Sequence, residues 1–275
     1  MNGDSITSIT PESALQRYWQ RAWEHRDLLV CLSRRDLVVR YRQTAVGVAW
    51  LLIRPALMVA VFLVLFRQVA GMGAGVAGYT ASVLIGVAMW QAVAGIVGQG
   101  ALSLVNNPDL VTKVHFPRIL LPLATVPPNV FDLGLTLLLV VPAAYLCDAA
   151  PSWRLLLLPF AVLPALAIAA GVTIWIAGAM VRWRDFRNIV PFLLQTGQLA
   201  TPIGYPLEAV DEAHRVWFAC NPLTAAVELP RWCLIAGYPL PAMEIMLPSM
   251  AIGLGLAWLG TVRFRLGERW YADVL

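Results

Sequence analysis

The run RRDLVVRYRQTAVGVAWLLIRPALMVAVFLVLF, Arg34 to Phe66, passes from a cationic segment into an apolar stretch with Arg54 and Pro55 left inside it. A helix of about 20 residues covers the roughly 30 Å of hydrocarbon in a bilayer, and the apolar part of this run has that length. Similar runs recur near 47–66, 79–99, 122–146, 155–180, 189–205 and 242–262. Of the 275 residues, 59% are apolar and 13% charged, about half the charged share of a soluble domain. The composition predicts an all-α integral membrane protein of about six spans with no large soluble domain. A cytoplasmic segment 1–46 leads into a membrane domain 47–262, and a tail 263–275 follows. The polar start MNGDSITSITPES lacks the apolar core of a cleaved signal peptide, so the chain is expected to begin at Met1.

Arginines set the orientation. Arg17, Arg21, Arg26, Arg34, Arg35, Arg40 and Arg42 precede the first span. Lys113 and Arg118 follow the second, Arg182, Arg184 and Arg187 the fourth, and Arg263, Arg265 and Arg269 the sixth. Loops rich in arginine and lysine stay in the cytoplasm, which places both termini inside. The other loops carry Arg67, Arg154, Arg215 and Arg231, with the acids Asp148, Glu208, Asp211, Glu212 and Glu228. The net charge of +4 reflects this bias and suits anionic membrane lipid. No basic, aromatic soluble surface is left for a nucleic acid. In this topology Cys31 and Cys147 lie on opposite sides of the membrane, whereas Cys220 and Cys233 share an outer loop, paired or free.

Several chemistries are excluded. His25, His115 and His214 fall in separate loops without cysteine or carboxylate at ligand spacing, so no metal site is expected. The only lysine, Lys113, follows Leu-Val-Thr and no glycine-rich turn, so the chain has no phosphate-binding loop for ATP. A nucleotide-driven process would need a second polypeptide.

Thr10-Pro11-Glu12 predicts a helix start, with a capping hydroxyl, proline at the first position and an acid at the positive end. On the helix that follows, Leu15, Tyr18, Trp19, Ala22, Trp23, Leu29 and Val30 share one arc, interrupted only by Arg26. Arg17, Gln20, Arg21, Glu24 and Asp27 fill the other arc, a pattern that suits the membrane surface or a partner beneath it. Between the second and third spans, Asn107-Pro108-Asp109 predicts a turn and helix start. Leu110, Val111, Val114 and Phe116 then form a short apolar face before Pro117, which reads as a connector or a docking element. Val181 to Asn188 is a positive-inside anchor. The outer loop from Tyr205 to Pro241 holds enough apolar surface, Trp217 and Trp232 included, to predict short helices dipping into the outer interface. Gly95, Gly98, Gly100, Ala251, Gly253, Gly255 and Gly260 favour close helix packing, within one chain or between subunits.

A first helix entering near Gly47 puts Arg54 about 10 Å along its axis. An unpaired arginine at the bilayer centre costs about 2.5–3.5 kcal/mol on insertion scales. Either Arg54 snorkels back to the cytoplasm, or it faces a hydrated path and meets an anion, such as the Asp132 carboxylate or a ligand phosphate.

These blocks together resemble a family. RRDLVVRYRQTAVGVAWLLIRPAL is similar to the first-span segment of bacterial type-2 ATP-binding-cassette permeases that export cell-surface polysaccharide, the O-antigen, capsule and teichoic-acid exporters. NNPDLVTKVHFPRILLPLA resembles their cytoplasmic loop and RWRDFRNIVPFLLQ with TPIGYPL their fourth-to-fifth-span segment. CNPLTAAVELPRW resembles their outer loop and RFRLGERWYADVL their C-terminal end. The resemblance implies six spans per subunit, a homodimer in the bacterial inner membrane, and two copies of a separate ATPase that binds ATP and Mg. No cofactor is implied in this chain. The substrate would be a glycan on a polyprenyl-phosphate carrier. Residues 11–34 would be an interfacial helix, and the loop 100–121 would couple to the ATPase through Asp109, Leu110, Val111, Lys113, Val114 and Phe116. The loop 206–241 would form an outer gate with Tyr205, Trp217 and Trp232. Carrier phosphates would meet Arg34, Arg35, Arg40, Arg42 and Arg54, and sugars would slide along Trp50, Phe62, Trp90, Trp175 and Phe192. Thr196 to Ala200 departs from the pattern, lacking the bulky aromatics many relatives carry there. A drug or small-lipid exporter would share the topology without all five blocks. An enzyme of lipid-linked sugars would need acids or histidines clustered at one face, and the sequence has none.

Overall fold

In hydrocarbon every backbone N–H and C=O must be satisfied within the segment, so long apolar runs become helices. The computed structural model describes residues 11–42, 49–69, 71, 78–146, 152–205, 207, 210 and 212–274, and among these there is no strand. The chain forms α1 (Pro11–Glu24), α2 (Arg26–Arg42) and α3 (Ala49–Phe62), which runs into a π-helical stretch, Leu63–Val69. Then come α4 (Tyr79–Ala101), α5 (Pro108–Lys113), α6 (Leu120–Leu123) and α7 (Val126–Leu146). A 3₁₀ turn, Trp153–Leu157, leads into α8 (Leu158–Arg182), followed by α9 (Phe186–Ala200), α10 (Glu212–Cys220), α11 (Thr224–Leu234) and α12 (Met243–Val274).

Among the described residues, four segments are long and apolar enough to cross a membrane: Tyr79–Ala101, Leu120–Pro142, Trp153–Arg182 and Met243–Glu268. They coincide with the second, third, fourth and sixth expected spans. The first is a shorter apolar helix, Ile53–Phe66. The fifth, expected over 189–205, ends at Ala200; its 15 residues rise only about 22 Å. The N-terminal helix differs from expectation too, breaking between Glu24 and Arg26 where one helix was predicted. Thr10, its expected cap, lies outside the described residues, as do Gly47, Cys147, Asp148, Glu208 and Asp211. The expected tail 263–275 continues α12 without a break as far as Val274.

A helix apolar on all sides belongs in the interior, and α4 is that helix, packed by α3, α7, α8, α9 and α11. Close approach depends on small residues. A Cβ on Gly95 would meet Asn129 Oδ1 at 2.3 Å, and one on Gly171 of α8 would meet the Ala257 backbone of α12 at 2.4 Å. Gly253 and Gly260 abut Ile168 and the Gly171 carbonyl, so these small residues serve packing within the chain.

α10 and α11 are the short helices expected in the outer loop, and α11 is largely buried. It carries a buried ion pair, Arg231 Nη1 donating to Glu228 Oε1 at 2.7 Å. Arg231 also donates from Nε to the Ser82 carbonyl (3.0 Å) and from Nη2 to the Ile203 carbonyl (2.6 Å). The Tyr238 hydroxyl donates to Glu228 Oε2 at 2.9 Å. A buried pair is tolerable when its remaining donors and lone pairs are satisfied, and this one ties α11 to α4 and to the turn after α9. Cys220 is exposed and Cys233 buried, and both are free thiols.

Candidate functional site

A recess of about 580 Å³ opens among α2, α3, α4 and α7. Helical spacing builds its walls. Gln91, Gly95 and Gln99 lie four residues apart on one stripe of α4, and Asn129, Asp132, Leu133 and Thr136 line it from α7. Arg40 and Tyr41 enter from the end of α2, Trp50 and Arg54 from α3.

Asp132 is the centre of the polar contacts. Its carboxylate accepts from Arg40 Nη1 and from the Tyr41 hydroxyl, while Arg40 Nη2 donates to Gln99 Oε1 at 2.5 Å. Asn129 Nδ2 donates to the Thr125 carbonyl (2.7 Å) and to Gln99 Oε1 (3.3 Å). Burial first, then the bond to Asp132, pushes the Tyr41 phenol up to about 12. Tyr41 is therefore a neutral donor throughout the physiological range. Of the alternatives for Arg54, pairing with Asp132 does not occur: Asp132 is engaged by Arg40 and Tyr41. The Arg54 side chain is exposed, and no hydrogen bond or ion pair to it is found among the described residues. Two guanidiniums against one carboxylate leave the recess with a single net positive charge, and Arg54 is the donor left over for an anion.

The structure brings Arg40, Arg54 and Trp50 to one place, and leaves other expected site residues elsewhere. Arg34 and Arg42 are exposed outside the recess; Arg35 pairs with Asp36 at 3.0 Å and reaches Asn107 Oδ1 at 3.4 Å. Phe62 and Trp90, expected as pore aromatics, are buried in a cluster with Val59, Tyr79, Val83, Val87 and Ile203. Trp175 and Phe192 are exposed on α8 and α9. In the outer loop, Tyr205 lies between the Phe66 and Phe218 rings, at 5.5 and 6.0 Å between centroids. Trp217 is exposed, and Trp232 lies under the Arg154 guanidinium at 4.8 Å. Of the expected coupling face, Val111 is fully buried, Leu110 and Phe116 are half-buried and Val114 is exposed. Asp109 and Lys113 form an exposed pair at 2.6 Å. The polar stripes of α4 and α7 are not evident from hydropathy, although Gln91 and Gln99, eight residues apart inside an apolar span, and Asn129 beside Asp132 in the next were a visible signal.

Comparison with known proteins places the chain in a family. The family described as ABC-2 type transporter matches residues 27–235. The "O-antigen export system permease protein RfbA" of Myxococcus xanthus is 30% identical, over 94% of this chain and 98% of its own length. A protein of the same name from Klebsiella pneumoniae is 23% identical over 88% of this chain and 94% of its own length. The chain thus belongs to the ABC-2 type transporter family and is a transport permease.

Proposed function

We propose that the chain is the membrane subunit of an ATP-driven exporter that moves a lipid-linked polysaccharide, an O-antigen-like glycan on a polyprenyl-phosphate carrier, from the cytoplasmic to the outer face of the bacterial inner membrane. The observation that carries this reading is the likeness, along almost the full length of both chains, to a permease named for O-antigen export. In this reading the subunit has six spans, α3 with its π-helical continuation being the first and α9 the fifth. Both termini are cytoplasmic, α1 lies at the inner interface, and two subunits assemble with two ATPase copies that bind ATP and Mg.

The recess supports the same reading. Its net positive charge and open guanidinium suit a carrier phosphate arriving from the inner leaflet, and Trp50 offers a flat apolar face to a sugar ring. Phosphate held by Arg54 would compete with Asp132 for Arg40. The work of ATP reaches the membrane through α5, whose exposed residues are Pro108, Asp109, Thr112 and Lys113, with exposed Val114 directly after it.

Deletion of the gene tests the function. Surface glycan should disappear while lipid-linked glycan accumulates inside, and the intact gene should restore both. Normal surface glycan with an unchanged lipid-linked pool overturns the proposal.

A further inference from the structure

The contacts at the end of α12 serve neither the recess nor the outer loop. Arg118 and Glu268 are joined twice, each through the other's main chain. The Arg118 backbone N–H donates to Glu268 Oε1 at 2.6 Å, and Arg118 Nη1 donates to the Glu268 carbonyl. From the other edge of the same guanidinium, Nε and Nη2 donate to the Val111 carbonyl at 3.4 and 3.3 Å. Carbonyls in the last turn of a helix have no intrahelical donor, and the Val111 carbonyl is one of these in α5. One planar fork thus closes the end of α5 and grips the main chain of α12, a geometry that lysine cannot reproduce.

Packing follows the same line. Val111 is buried in a cluster with Phe264 and Tyr271 of α12, Ile174, Ala177 and Val181 of α8, and Ala22 of α1. Arg265 lies over the Tyr18 ring of α1 at 5.2 Å. Burial, and next the Glu268 carboxylate, holds the buried Tyr18 phenol far above its ordinary range. α12 packs along α8, and α8 packs on α4, the helix that carries Gln91 and Gln99 into the recess.

We infer that Arg118 is a positioning residue that passes displacement of α5 into α12, with Glu268 as its anchor. The inference rests on the reading of α5 as the ATPase-docking element. A short helix of six residues has little stiffness of its own, so movement of α5 has to leave through the contacts at its end. Arg118 holds one of those contacts by hydrogen bonds to two helices at once. Physical continuity alone does not establish energetic coupling, so the ratio of transport to hydrolysis is the quantity to read.

The experiment uses the full chain co-expressed with its ATPase, at matched membrane levels and with equal ATPase co-purifying. Arg118→Ala removes the bonds to both carbonyls; Glu268→Ala removes the acceptor for the Arg118 amide, whereas Glu268→Gln keeps an acceptor oxygen. Arg118→Ala and Glu268→Ala should retain ATP hydrolysis within about twofold while glycan exported per ATP falls about tenfold. Glu268→Gln should stay near wild type, and Arg118→Lys should fall between. Should Arg118→Ala not accumulate, Arg118→Lys and Glu268→Gln carry the comparison. Export per ATP unchanged in the arginine variants, or as damaged in Glu268→Gln as in Glu268→Ala, overturns the inference while docking stands. A wild-type chain that retains no ATPase overturns the docking reading, and the inference with it, and the wild-type control alone distinguishes that failure.

Discussion

Arg40 and Arg54 share a recess but differ in what they touch. Arg40 is neutralised by Asp132 and held by Gln99, whereas Arg54 has an open guanidinium one residue before Pro55. A neutral residue at 54 would enter the membrane more cheaply, and other arginines, from Arg34 to Arg42, already precede this helix as an anchor. Arg54→Lys should therefore retain part of the export and Arg54→Gln much less, since lysine keeps the charge without the fork. The measurement is surface glycan at matched membrane levels, and wild-type export by the glutamine variant would return Arg54 to the role of a snorkelling anchor. The sequence showed that Arg54 was unusual but not which anion was already spoken for. Arg40 and Asp132 are 92 residues apart, and only the packing of α2 on α7 brings them together. Glu228 and Arg231 were legible in principle, an acid and a base three residues apart on a largely apolar helix. They were read as outer-loop charges because loops carry charge at little cost, and their burial depends on the space left by Gly86, where a Cβ would lie 2.6 Å from Arg231 Nη2.

At the scale of elements, the apolar runs of α4, α7, α8 and α12 were readable because their length alone decides the question. The break at His25 was not, since the apolar arc of α1 continues in phase into Leu29 and Val30 on α2. α9 was read as a span by hydropathy, yet it ends at Ala200, where Thr201 to Gly204 turn inward and are buried. The Ile203 carbonyl there is held by Arg231, and the Gly204 carbonyl accepts from the Tyr79 hydroxyl at 2.6 Å. The start of α5 after Asn107 agrees with the sequence, but the helix ends at Lys113 and not at Pro117, which leaves Val114 and Phe116 beyond it, and its apolar face is not all surface. Val111→Glu would put a charge into a fully packed site and should lower the amount of folded protein. Val114→Glu lies on the exposed side and should leave the amount of protein unchanged while weakening ATPase association and export. Equal accumulation of both variants, read as monodisperse protein in detergent, would contradict this division between buried Val111 and exposed Val114.

For the whole molecule, orientation rests on the asymmetry of arginines, which an exposed cysteine on each side can test. Cys31 on α2 and Cys220 on α10 are both exposed free thiols. In single-cysteine versions, an impermeant maleimide applied to spheroplasts should label Cys220 and reach Cys31 only after the membrane is opened. Labelling of Cys31 first would invert the topology. The contact between α8 and α12 has a further consequence. At Gly171, Ala257 and Gly260 the two helices meet backbone to backbone, and Ile168 and Trp175 of α8 fill the contact on either side. Backbone held that close leaves no room for one helix to slide past the other without a clash. In any movement of the subunit, α8 and α12 should therefore tilt together as one body.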